Sequence, residues 1–472
     1  MYVLALEAST TSAKAMLYRR ETGETIVETR NYPEMNSVEQ DPNIVYDALC
    51  EASRDLMAQH SDKEVGIVAL GGTWHSVMLL DDDFWPTTPC YAWNFTGASS
   101  IAQGHRTDPE YIDAYYRRTG GIPNASFPFF KLQYLASKGH KLWRSRIMGQ
   151  GTFIFYRLTG EFVSSESMAS GTGLLDITTR EYDADHLDVL SISEDNLPRV
   201  VPWDETAPLP ATGAKRLGVP EGTPVLPAEP DGGLNQVGSG GMEPGVMSMS
   251  VGTSGALRVS TTEPTLDPRH NVWCYLGAKN WLSGAATSGA TNVLDWYKKQ
   301  HLPAGLSYQE MEEGITPDID SPVFLPFVFG ERSPGWDDTR RGGFVGLEPH
   351  HEWKHMVAAI REGALFNLKQ SFQALMRIND EPEQIILSGG ILNSQQWTQM
   401  AADILGRTIH PTEEAQNSLI GAALLGAQAL GQGDAADYTP PLLDPVTPNS
   451  QSVQKYLAKF GKYLDAYNKT GA

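Results

Sequence analysis

Val3-Leu4-Ala5-Leu6-Glu7-Ala8-Ser9-Thr10-Thr11-Ser12-Ala13-Lys14-Ala15-Met16-Leu17-Tyr18 opens the chain with an apolar run, four consecutive hydroxyl residues and a second apolar run. The pattern predicts a hairpin, with strands from Tyr2 to Leu6 and from Ala13 to Tyr18. Glu21-Thr22-Gly23 then turns the chain into a third strand from Thr25 to Glu28. A helix follows from Asp41 to His60, with Asp41 as N-cap and Pro42 at the first helical position. Gly66 to Leu70 reads as a buried strand that runs into Gly71-Gly72.

The same grammar returns in the second half. Val246 to Ser250 is a strand, Val251-Gly252-Thr253-Ser254-Gly255 a polar turn, and Ala256 to Ser260 the return strand. Gln384 to Leu387 runs into Ser388-Gly389-Gly390, ahead of a helix from about Ser394 to Leu405. Two units with one plan are therefore expected, 1–243 and 244–472, with the boundary among the glycines near Gly240 to Gly245. Pro202 to Pro210 and Gly218 to Pro230 read as irregular connections, and Val453 to Tyr467 as a terminal helix.

Composition narrows the function classes. The 472 residues, 41% hydrophobic and 20% charged, can build large cores. A net charge of −21 excludes partners whose binding rests on neutralising nucleic-acid phosphates or an anionic membrane surface. It does not exclude a phosphate ligand, because backbone N–H groups in a Gly/Ser/Thr turn bind phosphate whatever the global charge. Cys50, Cys90 and Cys274 are too few and too scattered for a disulfide framework or a zinc set. No secretory or membrane-spanning segment is read, so a cytoplasmic protein is expected.

Several constellations carry chemistry. Thr10, Thr11, Ser12 and Lys14 in the first turn, and Gly252, Thr253 and Ser254 in the second, offer N–H groups and hydroxyls to phosphate oxygens. Glu7, just before the first turn, suits a magnesium ion, held directly or through water. Asp231, in Pro230-Asp231-Gly232-Gly233, suits a general base that accepts a hydroxyl proton during phosphoryl transfer; a plain turn aspartate is the alternative. Trp74-His75-Ser76 and Trp93-Asn94 suit a sugar, whose C–H face an aromatic ring covers while His and Asn bond its hydroxyls. His351-Glu352-Trp353-Lys354-His355 spells the zinc-peptidase pattern His-Glu-x-x-His, which would put both imidazoles on one helix face. The longer form is missing, with Ala358 where Gly would stand, so a polar helix start is expected there.

Taken together these segments resemble the FGGY carbohydrate kinases of the actin-like, sugar-kinase superfamily. Leu6 to Lys14 resembles the first phosphate motif, and Gly71-Gly72-Thr73-Trp74-His75-Ser76 with Trp93 the sugar segment. Ala169-Ser170-Gly171-Thr172-Gly173-Leu174 also matches a family segment. Asp231-Gly232 falls at the catalytic aspartate, and Gly252 to Gly255 at the second phosphate motif. Gly330-Glu331-Arg332-Ser333-Pro334 through Arg341-Gly342-Gly343-Phe344-Val345-Gly346-Leu347 resembles the long signature, and Ser388-Gly389-Gly390 with Ala402-Asp403 the adenosine segment. The resemblance implies an α/β protein of two RNase-H-like (actin-like ATPase) domains around a deep cleft. Sugar would lie mainly on the first domain, with Trp74, His75, Trp93, Asn94 and Asp231. ATP would lie on the second, with Gly389, Gly390 and Asn393 flanking adenosine and magnesium accompanying it.

The sequence departs from the family wording at named places. Glu7 and Ser9 stand where Asp and Gly are usual. Trp93-Asn94-Phe95-Thr96-Gly97 replaces Trp-x-Asp-x-Arg, so the carboxylate and the guanidinium are both missing. Ser165 stands where an acidic residue is usual. The wording is nearest the gluconate-kinase branch, with xylulose kinases next. A sugar acid such as gluconate is therefore the expected acceptor, with xylulose or another ketose or polyol as the alternative. A carboxylate calls for a cation, for which Lys131 is a candidate. A sensor that binds sugar or nucleotide without turnover is the rival of a different class. A homodimer is left open.

Overall fold

The computed structural model describes residues 1–414 and 416–470. It is an α/β protein built on two sheets of the same plan. In the first, Tyr2–Ala8, Ser12–Arg19 and Glu24–Asn31 form an antiparallel meander, with Glu7 opposite Lys14. Tyr2–Ala8 also runs parallel to Val65–Gly72. In the second, Val246–Val251, Gly255–Thr261 and Trp281–Thr287 form the meander, and Val246–Val251 runs parallel to Gln384–Ser388. Trp273–Leu276 closes one edge of that sheet and His410–Pro411 the other. Each hydroxyl-rich turn thus ends a hairpin beside a strand that runs into two glycines.

Tyr2–Ala8 is buried along its whole length because helices cover both faces of its sheet. Side chains alternate across a strand. Leu4 and Leu6 meet Val45, Leu49 and Leu56 of the Pro42–Gln59 helix, while Val3 and Ala5 meet Leu419, Ala423 and Leu424 of the Asn417–Ala429 helix. Asp41 caps the first of these helices by accepting from the Asn43 N–H, with Pro42 in its first turn, as its sequence predicts. The second sheet packs its apolar side against Trp353–Leu375 and Gln395–Leu405, and Ser450–Thr470 packs on those helices.

The proline-rich stretches read as irregular instead add edge strands to the first sheet. These are Ala207–Pro208, Pro224–Val225 and Glu229–Pro230. Proline is tolerated there because an edge strand has ladder positions that need no donor.

Two helices join the lobes. Asp231–Gly238 leads from the first sheet toward Val246–Val251, and Asn417–Ala429 comes from the second half of the chain to pack on the first sheet. They touch backbone to backbone. A Cβ on Gly238 would lie 1.9 Å from the Asn417 carbonyl oxygen, and one on Gly421 would lie 2.0 Å from that of Leu234. No side chain fits at either point.

Gly421→Ala is therefore expected to force these helices apart and cost about 1–3 kcal/mol in denaturant unfolding. Gly461→Ala, in the terminal helix with open space around it, is expected to be neutral or to stabilise by up to about 1 kcal/mol. Equal unfolding midpoints for the two variants would refute the role given to the crossing.

Candidate active site

Asp231 is the first residue of the Asp231–Gly238 helix, after Pro230. Its Oδ1 accepts from the Gly232 N–H at 2.8 Å. Burial raises its carboxyl above the usual range, while Arg258, the Gly232 and Trp74 N–H groups and then Arg332 pull it back down. Gly232 has no room for a side chain, since a Cβ would meet the Trp74 ring at 2.9 Å and Arg258 Nε at 3.1 Å.

The first turn is closed by its own hydroxyls. The Ser9 N–H donates to the Ser12 carbonyl, and Ser9 Oγ donates to the same oxygen at 2.8 Å. The Ser9 side chain is therefore folded back into the turn. Thr10 Oγ1 accepts from Trp93 Nε1 at 3.3 Å, which ties the turn to the aromatic segment. Thr11 is exposed at the tip. Glu7 is buried and accepts from the Ser418 hydroxyl at the start of the Asn417–Ala429 helix. Lys14 Nζ lies 3.8 Å from Glu7 and donates to Gln416 Oε1 at 2.7 Å. Burial raises the Glu7 carboxyl, the Ser418 hydroxyl and Lys14 lower it, and neighbouring Asp231 raises it again. Two carboxyl groups are thus held near one another beside the first turn.

The second turn and the glycine bend also form one unit. The Gly252 N–H donates to the Ser254 carbonyl, and its own carbonyl accepts from the Thr291 N–H at the start of the Thr291–His301 helix. Gly389 has φ +99°, and a Cβ there would lie 2.7 Å from the Val251 carbonyl, so only glycine lets the bend rest on the turn. Gly252 has open space around it, and Gly389, Gly390 and Asn393 are exposed. Among the described residues the two turns share no hydrogen bond with each other.

On the sugar side, the Trp74 indole donates to the Ser167 carbonyl at 3.0 Å. His75 adopts φ +64°, a strained conformation for a residue with a side chain. Its ring bonds the Gly171 carbonyl through Nδ1 at 2.6 Å. Burial, reinforced by Arg332, pushes the imidazole down to about 3, so it is neutral at physiological pH. Asn94 Oδ1 is buried with no partner.

Lys131 does not reach this space. Its buried ammonium donates to the backbone carbonyls of His75 and Ala92, both at 2.6 Å, and to that of Tyr91 at 3.4 Å. It pins the two sugar segments together and is not available to a substrate carboxylate.

Four side chains from the second half complete this wall, and the sequence reading missed their place in it. Trp273 and Tyr275 meet Trp74 edge-on, at 5.8 and 5.1 Å between ring centroids. Arg258 lies against Gly232, and the Arg332 guanidinium lies 5.6 Å from the Trp93 ring centroid. The edge strand Trp273–Leu276 docks on Gly120, where the Cys274 N–H donates to the Gly120 carbonyl. The long signature then straps the lobes together. Asp338 accepts from Asn124 Nδ2 and the Ala125 N–H, and Arg106 donates to the Gly335 carbonyl. The only available signal was that Arg332 sits inside the long signature and Arg258 on the strand that leaves the second phosphate turn.

The His-Glu-x-x-His segment is a helix start. The helix begins at Trp353, leaving His351 outside it, and Glu352 is the N-cap. Ligand atoms of Asp320, His350 and His351 lie within 4.8 Å of one another. However, His351 Nδ1 accepts the Glu348 N–H and His355 Nδ1 accepts the Glu352 N–H. Each neutral ring then carries its proton on Nε2, whereas a metal-bound histidine donates through its other nitrogen.

Twin sheets joined by crossing helices, with a hydroxyl-rich turn on each and a half-buried aspartate at the start of one of those helices, define a two-lobed phosphotransferase fold. Family models agree. Residues 2–238 match the N-terminal domain of the FGGY family of carbohydrate kinases and residues 247–430 its C-terminal domain. The chain belongs to that family and is a carbohydrate kinase. It is 28% identical to a gluconokinase from Bacillus subtilis (strain 168), over 96% of this chain and 93% of the relative. It is 26% identical to a xylulose kinase from the same strain, over 99% and 97%. The crystal structure of gluconate kinase from Lactobacillus acidophilus superposes with a TM-score of 0.93 at 28% identity, covering 100% of this chain and 98% of that one. The ligand-bound xylulose kinase from the same organism gives 0.92, also at 28%, with the same coverage.

Glu229, two residues before Asp231, supplies a pH test. Its Oε1 is buried without a partner, and burial raises the carboxyl to about 7 against the pull of the Ser165 and Ser167 hydroxyls. A folded-state value above the unfolded one gives stability that is complete below about pH 4.5 and lost as pH rises through 7. Glu229→Gln is expected to stabilise progressively between pH 5 and pH 8, by at most about 3 kcal/mol. A gain independent of pH in urea unfolding would refute this.

Proposed function

We propose that this kinase transfers the terminal phosphoryl group of ATP to a hydroxyl of gluconate or a closely related sugar acid in the cytoplasm. Residues 1–243 would bind the sugar and carry the base, and residues 244–472 would bind ATP. The observation that carries the reading is the carboxyl of Asp231, held at a helix start between the two sheets with the Arg258 guanidinium beside it. Among the described residues no helix is long and apolar enough to cross a membrane.

Asp231 accepts the proton as the sugar oxygen attacks the terminal phosphorus, and the bond from that phosphorus to the bridging oxygen of ADP breaks. Its raised carboxyl is a stronger base than an exposed aspartate. Thr10, Thr11, Ser12 and Lys14 approach the phosphates from one side, and Gly252, Thr253 and Ser254 from the other. Gly389, Gly390 and Asn393 flank the adenosine. Trp74 and Trp93 cover the sugar's C–H face, while His75 and Asn94 bond its hydroxyls; the orphaned Asn94 Oδ1 is an acceptor awaiting such a donor.

Magnesium fits the carboxyl groups of Glu7 and Asp231, whose mutual repulsion a divalent cation would relieve, with Glu7 reaching it directly or through water. Bound there, it would neutralise developing phosphate charge. A neutral ketose such as xylulose is the second reading, favoured by the comparable similarity to xylulose kinases.

Asp231→Asn is expected to lower kcat by about 100- to 10,000-fold while calorimetry still detects ATP and sugar binding. Unchanged turnover would remove Asp231 from its role. Glu7→Ala is expected to shift half-maximal activity to higher magnesium, and a titration identical to that of the unaltered enzyme would refute the assignment of Glu7.

A further inference from the structure

The sugar wall holds two arginines that carry charge near Asp231 without pairing with it directly. Among the described residues neither Arg258 nor Arg332 forms an ion pair. Arg258 makes one long contact, from Nη1 to Ser250 Oγ at 3.4 Å, and the Arg332 side chain donates no hydrogen bond. Nε is buried and unpartnered in both. Burial lowers both groups, Arg258 to about 10, which leaves it charged at neutral pH. A partly desolvated guanidinium with an unpartnered buried Nε gains from a hydrogen-bonded anion, so the pair suits an anionic ligand group.

The two are not equivalent. Arg258 Nε lies 3.1 Å from where a Cβ on Gly232, the neighbour of Asp231, would stand, which places Arg258 at the reacting end. Arg332 lies over Trp93 and acts on His75 and Tyr275, both on the sugar wall. The Tyr275 hydroxyl and Trp273 Nε1 in the same wall are also buried without partners.

Arg332 stands beside the segment that has lost its own arginine. At Gly97 a Cβ would lie 2.3 Å from the Phe95 ring, and that ring packs against Tyr91 and Tyr134. The two departures are therefore one change: Phe95 occupies the room that a side chain at 97 would need. The guanidinium near Trp93 comes across the cleft instead. Its loop is braced through adjacent Glu331, which accepts from the Tyr467 hydroxyl at 2.5 Å, from Arg340 at 3.0 Å and from the Gly335 N–H at 3.0 Å.

We propose that Arg332 is the receptor for the substrate's carboxylate, a contact supplied to the sugar wall by the second half of the chain. The inference rests on the sugar-acid reading above. A planar guanidinium meets a carboxylate through two parallel N–H donors, which a lysine ammonium cannot do. The carboxylate then lies away from Asp231, and the phosphorylated hydroxyl toward it.

The test is steady-state kinetics of the unaltered enzyme, Arg332→Gln and Arg332→Lys with gluconate and with the neutral polyol sorbitol. The unaltered enzyme is expected to prefer gluconate. Arg332→Gln is expected to lower the gluconate-to-sorbitol ratio of kcat/KM by roughly 30-fold or more, chiefly through the gluconate KM. Arg332→Lys is expected to restore part of the ratio, and it carries the test if the glutamine variant does not fold. A ratio unchanged in both variants overturns the proposal, whether both substrates slow together or neither does. An unaltered enzyme without preference for gluconate overturns the sugar-acid reading itself.

Discussion

Two helices meet with no side chain between them at Gly238 and Gly421, and the arrangement of the crevice depends on that contact. The first carries Asp231 at its start, and the second brings Ser418 and Gln416 to Glu7 and Lys14. A wider crossing would move the aspartate away from Arg258 and pull the second helix off the first turn. The glycines fix these relations because the helix backbones are rigid and close approach leaves few alternative geometries.

The electrostatics of the crevice follow from burial on both sides. Glu7 and Asp231 are raised by desolvation, Glu7 further by Asp231, while Arg258 and Arg332 are lowered by desolvation. Neither set cancels the other through a direct ion pair, so each remains available to a ligand. Lys131 is the contrast. Three backbone carbonyls surround its ammonium, and it holds the polypeptide in place.

The departures from the family wording divide in the same way. Ser9 adds a hydroxyl that the turn itself consumes, so it does not project toward a phosphate. Phe95 and Gly97 change together because one ring fills the space of the other side chain. From the sequence these were three separate losses. The structure makes the first a local substitution and the other two a single packing event. The His-Glu-x-x-His pattern is resolved by hydrogen bonding: backbone N–H groups occupy both Nδ1 atoms, so letters at the right spacing yield no ligands.

Much of the fold was legible in the chain because it is written locally. Apolar runs, hydroxyl-rich turns, Asp41 before Pro42 and paired glycines after strands all act over a few residues, and the twin meanders follow from them. The edge strands of the proline-rich stretches were not legible, since pairing there depends on a neighbour that only the assembled sheet provides. The members of the site from the first half, with Asp231, could likewise be named from motifs. Arg258, Arg332, Trp273 and Tyr275 reach the sugar side only because the second sheet docks its edge strand on Gly120. Local patterning is set by backbone propensity and side-chain period, which a linear sequence records. Which distant charges share one desolvated crevice is set by lobe packing, and only the tertiary structure decides that.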